Sequence, residues 1–170
     1  MGTRNYGMEA LVLNAYRDVI GIIESMHRRF LEVVKVELDQ LGVRDINNVQ
    51  AMILFRLGDA EMTIGELMYR GCYLGSNISY NLKGMVTSGY VLQERSMHDR
   101  RSTRVRLSEK GAALSAKIAA MHERHFALLQ LETLKADDLV GASKTLKRLE
   151  RYWMQAVQLG VRAAALSSAA

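Results

Sequence analysis

Proline is absent from all 170 residues, and cysteine occurs once. Without proline, nothing removes a helix amide or forces a kink, so long unbroken helices are available. One cysteine excludes a disulfide framework within the chain. No apolar run reaches the length of a membrane span, and residues 1–7 carry no visible signal peptide, so a cytoplasmic protein without a membrane partner is expected. There is no glycine-rich phosphate loop, and no nucleophile elbow or other catalytic motif places a serine with a histidine and an aspartate. An enzyme is therefore not expected, nor a cofactor. His27, His98, His122 and His125 are scattered; the last two share a helix face but lack the cysteine and acid company of a zinc site, so no metal is expected.

The most telling absence is of acid. No Asp or Glu occurs between Glu66 and Glu94. Residues 63–107 hold seven Lys/Arg against three acids, which places +4 of the chain's formal +5 in about a quarter of its length. That asymmetry is the electrostatic footprint of a nucleic-acid reader.

What is present there reads as a helix-turn-helix. Thr63-Ile-Gly-Glu66 has capping-box spacing, so a short helix should start there and run to about Arg70. Gly71 permits a turn, and Gly75-Ser76-Asn77 offers a second start. Ile78, Leu82, Met85 and Val86 recur at helical spacing and should pack inward, with Gly89 as the stop. Ser76, Asn77, Ser79, Tyr80, Asn81 and Lys83 are left facing out. Asn and Ser suit base edges in a major groove, while Tyr and Lys reach phosphates.

A ribbon follows. Tyr90–Arg95 reads as a strand, 96–102 as a charged tip, and Thr103–Leu107 as the returning strand. Arg95, Asp99, Arg100, Arg101 and Arg104 are its candidate DNA contacts. A narrow basic finger suits a minor groove, with Arg101 inserted, Arg100 on phosphate and Asp99 bracing the ribbon. A solvated surface hairpin is the plain alternative, which the preceding helix pair outweighs.

Long helices are expected on both sides. Residues 9–41 carry Ala15, Val19, Ile22, Ile23, Met26, Phe30, Val33 and Val34 at helical spacing, ended by Gly42. Residues 109–131 and 136–163 form a second pair, with Ser108 as a cap and an apolar stripe of Leu139, Leu146, Leu149, Trp153, Val157 and Val161. Between them, residues 47–57 read as a short helix capped by Asn47 with Gln50 three positions on. The expected fold is mainly α with a small β wing: one domain over 1–170, a winged helix-turn-helix head over 46–108, and a frayed tail over 164–170. The long flanking helices exceed what such a head needs, so they are expected to form a homodimer with recognition helices about 34 Å apart, one turn of DNA.

Thr63-Ile-Gly-Glu-Leu67, Ser79-x-x-Leu82-x-x-Met85, Ser88-Gly-Tyr-Val91, His98-Asp-Arg-Arg-Ser102 and Arg106-Leu-Ser-Glu-Lys-Gly111 together resemble the MarR family of winged-helix regulators, over about residues 10–160. The run Arg70-Gly-Cys-Tyr-Leu-Gly-Ser-Asn77 is similar to the LdtR/PetP-like members from alphaproteobacteria. The resemblance implies a homodimer on a pseudo-palindromic double-stranded operator. It also implies control by a small aromatic or hydrophobic effector, or by oxidation. It places the effector where the dimer helices meet the head, which here indicates Phe30, Ile46, Asn47, Gln50, Ile53 and Leu54. Ordinary core packing is the competing reading for the apolar ones. Cys72 lies in the turn before the recognition helix; a small buried hydrophobe is its commoner role, against a redox-sensing one. A winged helix that binds a partner protein is the alternative from another class, and the basic, acid-free face favours DNA.

Overall fold

The computed structural model describes residues 3–71, 75–95, 103–132 and 135–167, and side chains within 7–71, 77–95, 103–129 and 135–160. In chain order the elements are α1 (Thr3–Gln40), α2 (Asn48–Leu57), β1 (Met62–Thr63), α3 (Ile64–Gly71), α4 (Gly75–Thr87), β2 (Val91–Arg95), β3 (Thr103–Leu107), α5 (Glu109–Glu132) and α6 (Ala136–Ser167). Contacts gather them into two compact units, Met1–His122 and Glu123–Ala170. No helix among the described residues is long and apolar enough to cross a membrane.

In the first unit, local signals set the helix ends. Gly42 adopts φ +68°, and Val43 N–H reaches back to the Leu38 carbonyl at 2.9 Å, closing α1. The same closure recurs after α4, where Gly89 adopts φ +75° and Tyr90 N–H donates to the Met85 carbonyl at 2.9 Å. Asn47 and Gln50 form the expected capping box at the start of α2, both bonds at 2.9 Å. Asn48 Nδ2 donates to the Leu31 carbonyl at 2.8 Å, which pins this helix start to α1.

The core lies under the helix-turn-helix. Ile53, Leu54 and Leu57 of α2, Leu67 of α3, Ile78, Leu82 and Met85 of α4, Val91 and Val105 of the sheet, and Ile118 and Met121 of α5 are all buried. Among the described residues of α1, Val34 and Leu38 near its end are the buried ones that join them. Farther back, Leu11, Ile22 and Met26 are exposed.

The second unit holds the remainder of α5 and α6. Along α6, Leu139, Leu146 and Val157 are exposed, while Leu149 and Trp153 are half-buried.

Several expectations are corrected. The ribbon is a three-stranded antiparallel sheet in the order β1-β3-β2, with Met62 opposite Val105. A strand of two residues leaves no alternation in the sequence, and only its partner makes it a strand. Val86 is exposed, because Ile78, Leu82 and Met85 already fill the narrow inner face of α4. α1 begins at Thr3, since nothing before Met8 breaks it except Gly7, which costs about 1 kcal/mol. α6 continues to Ser167, past the expected end at 163, through the strong helix formers Ala163–Leu166.

Candidate nucleic-acid interface

The first helix of the reading unit begins on a two-way cap. Glu66 N–H donates to Thr63 Oγ1 at 3.1 Å, and Glu66 Oε2 accepts from Thr63 N at 2.7 Å and from its hydroxyl at 2.9 Å. These bonds, the amide foremost, hold the Glu66 carboxyl below its ordinary range, with Arg70 and Arg104 adding to the effect. At the other end of α3, Arg56 of α2 donates to the Arg70 carbonyl at 3.3 Å.

α4 buries one face and offers the other. Asn77, Ser79, Tyr80 and Lys83 are exposed; Tyr80 retains 76% of its surface, so little protein restrains its ring. Asn81 is half-buried, and its Nδ2 donates to the Asn77 carbonyl at 2.8 Å. The two asparagines thus share a face, but in this state the Asn81 amide is turned onto its own helix. The Ser76 side chain lies outside the described residues, as do Cys72 and the turn at 72–74.

On the wing, Arg95, Arg104 and Arg106 are exposed. Arg104 pairs with Glu61 at 3.3 Å and Arg106 with Glu94 at 3.1 Å. Exposed pairs of this kind contribute about 0–1 kcal/mol, so a phosphate can compete for either guanidinium. The tip, with Asp99, Arg100 and Arg101, lies outside the described residues.

A polar knot that no local sequence pattern announces ties the wing root together. Asp45 Oδ2 accepts from Lys110 Nζ at 2.7 Å, and its Oδ1 accepts from the Tyr90 hydroxyl at 2.8 Å. Lys110 also donates to the Ser88 carbonyl at 2.9 Å and sits 4.0 Å from the Tyr90 ring centroid. The Lys110 bond holds Asp45 below the ordinary carboxylate range, and the same bond raises Lys110. Burial, then Asp45, pushes the Tyr90 phenol up. Asp45 and Lys110 are 65 positions apart, so no local pattern links them. Ser108 caps α5 as expected, accepting from Gly111 N–H at 3.1 Å.

The six effector candidates divide between the core and an open cavity. Ile53 and Leu54 are fully buried in the core, and Gln50 is buried against α4. Phe30 lies near His122, ring centroids 5.7 Å apart, and Phe55 meets the same histidine edge-on at 4.6 Å. Ile46 and Asn47 line an open cavity of about 270 Å³ with Lys35, Leu38, Asp39, Val43, Arg44 and Asn48. Lys35 and Arg44, which are not among the expected effector contacts, bring two basic side chains to this cavity.

A capped helix, a second helix with a polar acid-free face and a three-stranded wing define a winged-helix DNA-binding protein. Residues 46–111 match the family model described as a winged helix DNA-binding domain. Over 155 residues the chain is 39% identical to the exopolysaccharide II synthesis transcriptional activator ExpG of Rhizobium meliloti strain 1021, covering 91% of this chain and 79% of that protein. A MarR transcriptional regulator from Methanosarcina mazei Go1 has a similar structure, with a TM-score of 0.69 at 19% identity over 82% of this chain and 98% of that one. FabT of Streptococcus pneumoniae, solved in complex with DNA, is similar with a TM-score of 0.66 at 18% identity, again over 82% and 98%. The chain belongs to the MarR family of winged-helix transcriptional regulators.

Proposed function

We propose that this regulator reads a pseudo-palindromic operator as a homodimer and that a small aromatic or hydrophobic effector adjusts its affinity. The exposed, acid-free face of α4 carries the reading. Ser76, Asn77, Ser79 and Asn81 meet base edges, while Tyr80 and Lys83 hold phosphates. Arg101 enters the minor groove, with Arg95, Arg100 and Arg104 on the backbone and Asp99 bracing the ribbon. The protein works in the cytoplasm, where its operator is. ExpG is an activator, and we extend activation to this chain.

Dimerisation is supported by the apolar residues that α1, α5 and α6 leave exposed, among them Leu11, Ile22, Met26, Leu128 and Val157. The long helices 9–41 and 109–163 would close on a second copy, so that two heads stand one DNA turn apart. Light scattering should give about twice the 19.1 kDa chain mass; the mass of one chain at micromolar concentration would refute the dimer.

The effector acts by favouring a spacing of heads that no longer matches successive major grooves. A tenfold loss of affinity needs about 1.4 kcal/mol of differential binding, within what one buried aromatic ring supplies. Its place is the junction of α1 and α2, where Ile46 and Asn47 line the open cavity.

A gel-shift titration over salt tests the DNA reading. Binding through six to ten phosphates should weaken about 10³–10⁵-fold between 50 and 200 mM salt. Flat salt dependence, or no binding to any promoter fragment, would favour a protein partner instead.

A further inference from the structure

Two side chains outside the exposed face of α4 hold that helix. Gln50 is the buried polar side chain among the described residues. Its Oε1 accepts from Asn47 N–H at 2.9 Å, and its Nε2 donates to the Asn81 carbonyl, a long contact at 3.5 Å. Gly84 admits this amide: a Cβ there would come within 2.7 Å of Gln50 Nε2. Asp45 takes the end of the same helix. Its carboxylate accepts from the Tyr90 hydroxyl, and its backbone carbonyl accepts from Ser88 Oγ at 3.0 Å. Lys110 extends this second grip to the first turn of α5.

The segment 45–50 therefore grips the recognition helix at its middle and just past its end. A helix held at one point can tilt or turn; one held at two points cannot do so without breaking a contact. Base edges require hydrogen-bonding groups placed within about half an ångström and roughly 10–20°. Long, flexible side chains on phosphates tolerate far more movement, and they carry no sequence information. The two kinds of contact should respond differently when a grip is loosened.

We propose that Asp45 and Gln50 are positioning residues for DNA reading: holding α4 at its centre and its end, they set discrimination between operator and random DNA without touching either. The consequence is specific. Loosening a grip lowers the operator-to-random affinity ratio and leaves the number of phosphate contacts unchanged.

The experiment uses the full chain and two duplexes of equal length. One is enriched from a random pool by the wild-type protein, and the other is its scrambled form. Gln50→Glu keeps the acceptor for Asn47 N–H and, ionised, offers no donor to α4. Asp45→Ala removes the acceptor for both the Tyr90 hydroxyl and Lys110. Each should lower the affinity ratio at least tenfold, with affinity for the scrambled duplex and the salt slope unchanged within twofold. Gly84→Ala reaches the same contact from the α4 side: it should lower the ratio in the wild type and leave it unchanged in a Gln50→Ala background, where the amide is gone. Thermal melts identify any variant that fails to fold, and the others then decide by the same criteria. A ratio within twofold of wild type, or equal losses on both duplexes, overturns the proposal.

Discussion

Gly111 is the tightest point of the wing root. It sits in the first turn of α5, where Ser108 N–H donates to the Tyr90 carbonyl at 3.0 Å. A Cβ at position 111 would lie 2.1 Å from that carbonyl oxygen and 3.1 Å from its carbon. Ordinary contact begins near 3.4 Å, so in Gly111→Ala the helix and the strand root must part by more than an ångström. The obstacle is backbone, which cannot swing aside as a flexible side chain would. Overpacking of this kind costs about 1–3 kcal/mol, occasionally more. The gain in helix propensity returns at most about 1 kcal/mol. Because the overlap is with backbone, the cost falls at the upper end of that range, and the expected net loss is about 2 kcal/mol, roughly a 1 M fall in the urea midpoint for a slope of about 2 kcal/mol/M. The assay is urea unfolding at fixed protein concentration, because association would shift the midpoint. Gly65→Ala is the control: its Cβ would meet nothing nearer than Thr63 Oγ1 at 3.9 Å. That variant should be unchanged or more stable by up to about 1 kcal/mol. Equal stability of Gly111→Ala and wild type would refute the close approach.

Arg101→Ala should weaken operator binding by about 1–3 kcal/mol with helicity and melting unchanged; normal affinity would remove the wing tip from the interface. Asn81→Ala should relax preference at one operator position more than it lowers binding to random DNA, and competition gel shifts over single-base variants would read this. The knot at Asp45 sets a pH dependence through two opposite shifts. Lowered Asp45 contributes stability above about pH 4 that is lost as pH falls through its folded value; raised Lys110 contributes below about pH 10 what is lost as pH rises through its own. The difference in urea midpoint between wild type and Lys110→Met should therefore stay constant from about pH 5 to 9 and shrink below about pH 4. A difference that grows on acidification would exclude the pair as its source.

Much of this protein is written locally. The capping boxes at Asn47 and Thr63 each place their partners three residues apart, so both helix starts are legible without any fold. Gly42 and Gly89 mark helix ends because the left-handed conformation there favours glycine. Ile78, Leu82 and Met85 recur on one face, and burying that face decides which side of α4 is offered to DNA. Charge asymmetry, likewise, needs only counting.

Tertiary structure decided what depends on distant partners. The two residues of β1 form a strand only because Val105 and Arg104 lie opposite. Asp45 looks like one more surface acid until folding brings Tyr90 and Lys110 to it. Gln50 serves as a cap by its spacing, yet its other end meets Asn81, 31 positions on. Ile53 and Leu54, expected near an effector, are core residues, because apolar periodicity cannot distinguish a cavity wall from a filled interior. Spacing along the chain fixes which side chains share a face of one element; which faces meet is settled by the joint burial of all of them.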